Sequence, residues 1–237
     1  MSTFGELLRT MPFPAKAEPS VTANLHFTGA AEERLAEVAS PSASLRDGQI
    51  QLLVQQLFFR PEPDAVRRAV FAPIEASAQA ASICFDVAKV LASGDRHDVG
   101  LIDASLEGTT LAQQLQMSSP TYAQPICPVL PRLWLVPRQS WIKESESQAV
   151  TAADLDRLRE LLGEFDFSVL HCGPVSWLTA QIARVCDGVV LVLTANKTRR
   201  LVAAQIKEQL AKARVPILGA VLAERRLPVP EGLYRKL

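Results

Sequence analysis

From residue 46 onward the chain alternates between two hydrophobic patterns. One is helical. In DGQIQLLVQQLFF (47–59), Ile50, Leu53, Val54, Leu57 and Phe58 recur at the spacing of a single helical stripe. The other is a continuous apolar run, seen in RRAVFAP (67–73), VGLIDA (99–104), LWLVP (133–137), FSVLHC (167–172), GVVLVLTA (188–195) and PILGAVLA (216–223). Between these runs lie segments of helical character: 78–92, the short GTTLAQQLQ, TAADLDRLRELLGEF (151–165), WLTAQIARVC and TRRLVAAQIKEQLAKA (198–213). Thr151 with Asp154 three residues on is a helix-start signature. Strands that alternate with helices of this length predict βαβ units and a parallel sheet. Runs without polar alternation predict strands covered by helices on both faces. Residues 120–131 carry Pro120, Pro125, Pro128 and Pro131 and read as a loop.

The expected architecture is therefore α/β, a single doubly wound, mainly parallel sheet flanked by helices. Residues 1–45 mix Pro, Ala, Ser and Glu with weak periodicity and are expected to form a mobile N-terminal arm. Within it, 29–39 has the pattern of one short helix, and Phe4, Leu7, Leu8 and Met11 have that of a small docking peptide. The domain proper is expected over 46–223, followed by a tail over 224–237.

Composition narrows the functional classes. Of 237 residues, 25 are Lys or Arg and 25 are Asp or Glu, so no global field draws the chain to nucleic acid or anionic lipid. Cys84, Cys127, Cys172 and Cys186 form no CxxC pair, which predicts reduced core thiols of a cytoplasmic protein. The N-terminus has no signal-peptide core, and no run reaches the roughly 18 apolar residues of a membrane span. Membrane association, if any, is expected to go through a partner.

Four stretches carry a resemblance. LIDASLEG (101–108) resembles an acidic motif that follows a strand. FDFSVLHCGPV (165–175) resembles a Walker B stretch with a proline after it. DGVVLVLTANKTRR (187–200) and ILGAVLAERR (217–226) match two further strand segments in register. In this order they are similar to the cytoplasmic tyrosine kinase domains of bacterial capsule and exopolysaccharide synthesis (BY-kinases), which share a P-loop NTPase fold with MinD- and ParA-like ATPases. The resemblance covers about residues 46–237.

The chemistry departs from that family. A phosphate loop of form G-x-x-x-x-G-K-[ST] needs glycines for left-handed backbone, a lysine for the phosphates and a hydroxyl for Mg²⁺. Aligned on the resemblance, Ser77 and Gln79 replace the glycines, Ala80 the lysine and Ala81 the hydroxyl. Asp103 keeps the first aspartate of the acidic motif, but Ser105 replaces the second. His171 replaces the Walker B aspartate, and a neutral imidazole is a poor ligand for a hard cation. The nearest charges to the loop, Glu75 and Asp86, have the wrong sign for phosphate. Gly48, Gln51 and Val54 replace the charged E-x-x-R-x-x-R ring motif, so a monomer or dimer is expected. The family's tail tyrosine cluster is reduced to Tyr234.

The resemblance and these losses together imply a catalytically inactive, kinase-like component of exopolysaccharide synthesis and export, with no cofactor and no metal. The partner it implies is the cytoplasmic segment of an inner-membrane polysaccharide co-polymerase, or a related active kinase. Location would be cytoplasmic, peripheral at the inner membrane through that partner. The alternative is a working nucleotide-binding enzyme, either a tyrosine autokinase or a positioning ATPase, with a rearranged loop. A spatial-organising adaptor unrelated to polysaccharide is a third reading.

Several residues admit two readings. Asp103 would bind a cation or cap a helix. His171 and Cys172 are adjacent on a strand and so point to opposite faces; this favours packing or a satisfied polar contact over a nucleophile pair. Lys197, Arg199 and Arg200 mark an anion site or a solvated helix start. Trp177 would fill space left by the missing nucleotide. In the tail, Arg225, Arg226, Leu233 and Tyr234 are candidate partner contacts, with Tyr234 as an anchor.

Overall fold

The computed structural model describes residues 41–61, 65–94, 96–106, 109–117, 125–142 and 150–224. In chain order the elements are α1 (Pro41–Phe58), β1 (Arg68–Pro73), α2 (Ala78–Ala92), β2 (Val99–Ala104), α3 (Leu111–Gln114), β3 (Cys127–Leu130) and β4 (Leu133–Val136). After a 3₁₀ turn at Arg138–Ser140 come α4 (Ala152–Gly163), β5 (Phe167–Cys172), α5 (Trp177–Ala183), β6 (Gly188–Thr194), α6 (Arg200–Lys212) and β7 (Ile217–Ala223).

The seven strands form one sheet in the order β3-β4-β2-β5-β1-β6-β7. Every pairing is parallel except that of β3 with β4. This is the doubly wound α/β architecture that the alternating runs predict. β1 lies between β5 and β6, and every residue of β2 and β5 is buried. The sheet turns at β1, where α2 leads back across β5 to β2 and α5 leads the other way to β6. Such a switch point leaves a crevice at the carboxyl ends of the strands.

Ile50, Val54, Leu57 and Phe58 of α1, with Ala80, Ala81, Cys84, Val87, Ala88 and Leu91 of α2, pack on Val99, Leu101, Phe167 and Val169 of the sheet. At about 25 cal/mol per Å² of apolar surface removed from water, such a layer supplies the dominant driving force for folding. Gly100 permits the close packing of the loop after α4, since a Cβ there would stand 2.6 Å from the Phe165 ring. The cap read at Thr151 is present as a reciprocal box: the Thr151 hydroxyl accepts from the Asp154 N–H, and the Asp154 carboxylate accepts from the Thr151 N–H.

Two expectations need correction. The proline-rich stretch is not only loop, because Cys127–Leu130 pairs antiparallel with β4. Pro128 is tolerated there because β3 is the edge strand and an outward N–H is not needed. The second correction concerns β7. It is a continuous apolar run, yet helices do not cover both its faces: Leu222 is 53% and Ile217 36% exposed. Among the described residues, no helix is long and apolar enough to cross a membrane.

Candidate functional site

The carboxyl ends of β1, β2 and β5 lie side by side at this switch point. The loop that leaves β1 is clamped at its root. The Pro73 carbonyl accepts from the Val175 N–H at 2.9 Å, and the Ile74 N–H donates to the Val192 carbonyl at 3.0 Å. It then enters α2 through Ser77, an extended N-cap (φ −139°, ψ 119°) whose hydroxyl caps nothing. The Ser77 Oγ is instead buried without a partner.

A phosphate cradle requires left-handed residues. Among the described residues, positive φ occurs at Gln116, Arg132, Asn196, Arg214, Glu224 and Gly188, and none of these lies between 73 and 82. Ala80 and Ala81, at the aligned lysine and hydroxyl positions, lie in the first turn of α2 and are wholly buried in the core. Gln79 turns aside, and its side-chain carbonyl accepts the Glu224 N–H at 3.1 Å. The loop thus closes on the end of β7.

Asp103, at the end of β2, is buried and its carboxylate is committed to its own surroundings. One oxygen accepts from the Ser105 N–H at 3.1 Å and from the Ser105 hydroxyl; the other accepts the Leu111 N–H at 2.9 Å. Leu111 is the first residue of α3, so Asp103 holds a helix start. The Asp103 carbonyl accepts from Trp141 Nε1 at 3.0 Å. Arg138 donates to the carbonyls of Ser105 (3.1 Å) and Leu106 (2.7 Å). Neither Trp141 nor Arg138 stood out in the sequence, because they lie more than thirty residues away and carry no motif.

His171 is the Cα partner of Asp103 on one side and of Phe71 on the other. It is 2% exposed, and its Nδ1 has no hydrogen-bond partner. A satisfied polar contact is therefore not what holds Nδ1. Burial lowers the His171 pKa, with the Asp103 carboxylate pulling the other way. Cys172 is also buried, and desolvation raises its thiol pKa far above the ordinary range. A thiol so disposed is a poor nucleophile.

The remaining candidates separate. Asp86 is paired with Arg46 of α1 at 2.6 Å, and Arg46 also donates to the Ser82 hydroxyl at 2.6 Å. Burial raises the Asp86 pKa while Arg46 opposes it. Lys197 pairs with Glu224 at 3.2 Å, and Arg199 and Arg200 are exposed at the start of α6. Trp177 fills no vacated space: it is 62% exposed at the start of α5. On α1, Gly48 and Gln51 are exposed whereas Val54 is buried, and all three line a cavity of about 450 Å³ with Leu52 and Phe59. Among the described residues, no three His, Cys, Asp or Glu converge to hold a metal ion. Arg225, Arg226, Leu233 and Tyr234 lie outside the described residues.

No protein-family model matches the chain. Over 133 residues it is 28% identical to the tyrosine-protein kinase YwqD of Bacillus subtilis (strain 168), covering 54% of this chain and 51% of that protein. The chain thus spans about half the length of the curated relative it matches. Three solved structures share its fold. The chimerical protein CapA2B2 superposes with a TM-score of 0.63 at 17% identity, over 78% of this chain and 85% of that one. The kinase domain of VpsO gives 0.61 at 17%, over 79% and 100%. A ParA family ATPase from Chlorobium tepidum TLS gives 0.53 at 14%, over 73% and 79%. At these identities the structural likeness is one of fold. The chain is thus similar in sequence to part of a tyrosine-protein kinase and shares its fold with a kinase domain and a ParA family ATPase.

Proposed function

We propose that this chain is a catalytically inactive BY-kinase-like component of capsule or exopolysaccharide biosynthesis, acting by binding rather than by phosphoryl transfer. The observation that carries this reading is the segment 74–81, the turn after β1 and the first residues of α2. It has no left-handed residue, and Ala80 and Ala81 are buried where a phosphate-binding lysine and a Mg²⁺-binding hydroxyl would stand. Asp103 supports the reading, since its oxygens already serve Ser105 and Leu111. So does His171, a neutral buried imidazole in place of a carboxylate.

On this reading the partner is the cytoplasmic segment of an inner-membrane polysaccharide co-polymerase or a related active kinase. Arg225, Arg226, Leu233 and Tyr234 are the proposed tail contacts, because aromatic and arginine side chains carry most of the energy of such interfaces. Calorimetric titration tests the central claim. Mg²⁺–ATP is expected to bind more weakly than a Kd of about 1 mM, that is, with less than about 4 kcal/mol of binding free energy. Ala80→Lys alone is expected to leave hydrolysis absent, because the backbone around it stays unsuited. Micromolar ATP binding by the unaltered chain would restore the working-enzyme reading.

A further inference from the structure

The inward stripe of α1, Ile50, Val54, Leu57 and Phe58, lies in the core. Its outward stripe is Gly48, Leu52, Gln55 and Phe59, all exposed, with Leu52 and Phe59 each 54% so. Phe59 continues the helical course, since its N–H bonds to the Gln55 carbonyl at 3.3 Å, and its ring is braced edge-on against Phe167 at 5.8 Å. From Gly48 to Phe59 no residue carries a charge. A surface helix normally turns charged side chains to solvent. The arginines that flank the stripe are turned elsewhere: Arg46 to Asp86, and Arg60 to the carbonyls of Gln56 and Leu218. Gly48 stands inside the helix, where glycine is among the poorest formers. A Cβ added there would meet nothing within 4 Å, so packing within the chain does not call for it. A groove of about 450 Å³ follows the stripe, lined also by Val54 and by Val90 of α2.

The spacing of the stripe selects its occupant. Steps of four, three and four residues form a coiled-coil seam, and they read the same from either end. A second copy of α1 laid antiparallel, about a twofold axis through the middle of the stripe, therefore falls in register. Phe59 of each copy then projects over Gly48 of the other, and Leu52 of each over Gln55 of the other. The absent side chain at Gly48 leaves the room that a phenyl ring needs. A twofold contact sets one patch against the identical patch, and like charges brought together there would repel. This face has none.

We propose that the outward face of α1 is a dimer interface, occupied by the same face of a second copy of this chain, with Phe59 seated over Gly48. The contact requires no nucleotide and no different protein, and it is independent of what the segment 74–81 does. A seam of three helical turns is small beside a standard interface, so the expected dissociation constant is on the order of 10–100 µM.

Sedimentation equilibrium of the full chain, from about 5 to about 500 µM, spans that range and tests the interface. Leu52→Glu places like charges in the seam and is expected to weaken the dimer roughly a hundredfold. Gly48→Leu fills the space for Phe59 and is expected to weaken it roughly tenfold or more. That second variant touches nothing within one copy and improves helix propensity, so the urea midpoint of the dilute chain is expected to hold or rise while the dimer dissociates. The proposal fails if the unaltered chain is monomeric at every concentration, or if Gly48→Leu leaves the dissociation constant unchanged. It fails equally if the chain stays monomeric and Leu52→Glu lowers its urea midpoint, which would place another part of the same chain in the groove.

Discussion

Positions 103 and 171 are neighbours in register on adjacent strands at one rim of the sheet. Their fates differ. Asp103 has kept its carboxylate, and every contact it makes is internal: Ser105 behind it and the start of α3 in front. His171 has lost the carboxylate that the resemblance places there, and it sits buried with Nδ1 unpaired. The residue that matches the resemblance is thus hydrogen-bonded within the fold, and the one that departs from it has an unpaired nitrogen.

The largest expected effect tests the first half of that contrast. Asp103→Ala leaves the Leu111 and Ser105 donors buried without an acceptor, and is expected to cost about 3 kcal/mol in denaturant unfolding. A loss below half a kilocalorie would mean that the carboxylate is dispensable to the fold and free for another task.

A smaller effect of opposite sign is expected at the neighbour. His171→Leu removes a buried unpaired nitrogen at similar volume, and should stabilise the chain by about 1 kcal/mol. A clear loss of stability would show that the imidazole has a partner that geometry does not reveal.

The smallest effect is a pH dependence. The folded-state pKa of His171 lies below the unfolded value near 6.5. The unfolded chain therefore takes up this proton first, and the stability linked to His171 is whole above that pH and declines as the pH falls through it. The stability difference between the unaltered chain and His171→Leu should accordingly widen from pH 7.5 to pH 5.5, measured by urea unfolding at each pH. A constant difference would remove His171 from the titration.

Two strands buried on both faces were legible to the residue. Phe167–Cys172 and Val99–Ala104 are observed as read, because a continuous apolar run of that length leaves little choice of boundary. β3 was hidden, since proline signals a turn almost everywhere except on an edge strand. The exposure of β7 was hidden for a related reason: an apolar run does not say whether it lies at the centre or the margin of a sheet. At positions 77–81 the residue types were visible, but the contacts they make were not. The Gln79–Glu224 bond spans 145 positions, and the supports of Asp103 from Trp141 and Arg138 join segments with no shared pattern.

The strand order carries a consequence for how the chain is made. β1 pairs only with β5 and β6, whose first residues lie at 167 and 188. A ribosome adding about 5–20 residues per second needs roughly 5–20 s to travel from β1 to β5. For that interval Ala69–Pro73 is a finished, apolar strand with neither neighbour yet synthesised. Nascent chains of this protein should therefore hold β1 in contact with chaperone or with α2 until residue 172 has left the exit tunnel, and the sheet should close from its centre outward only then.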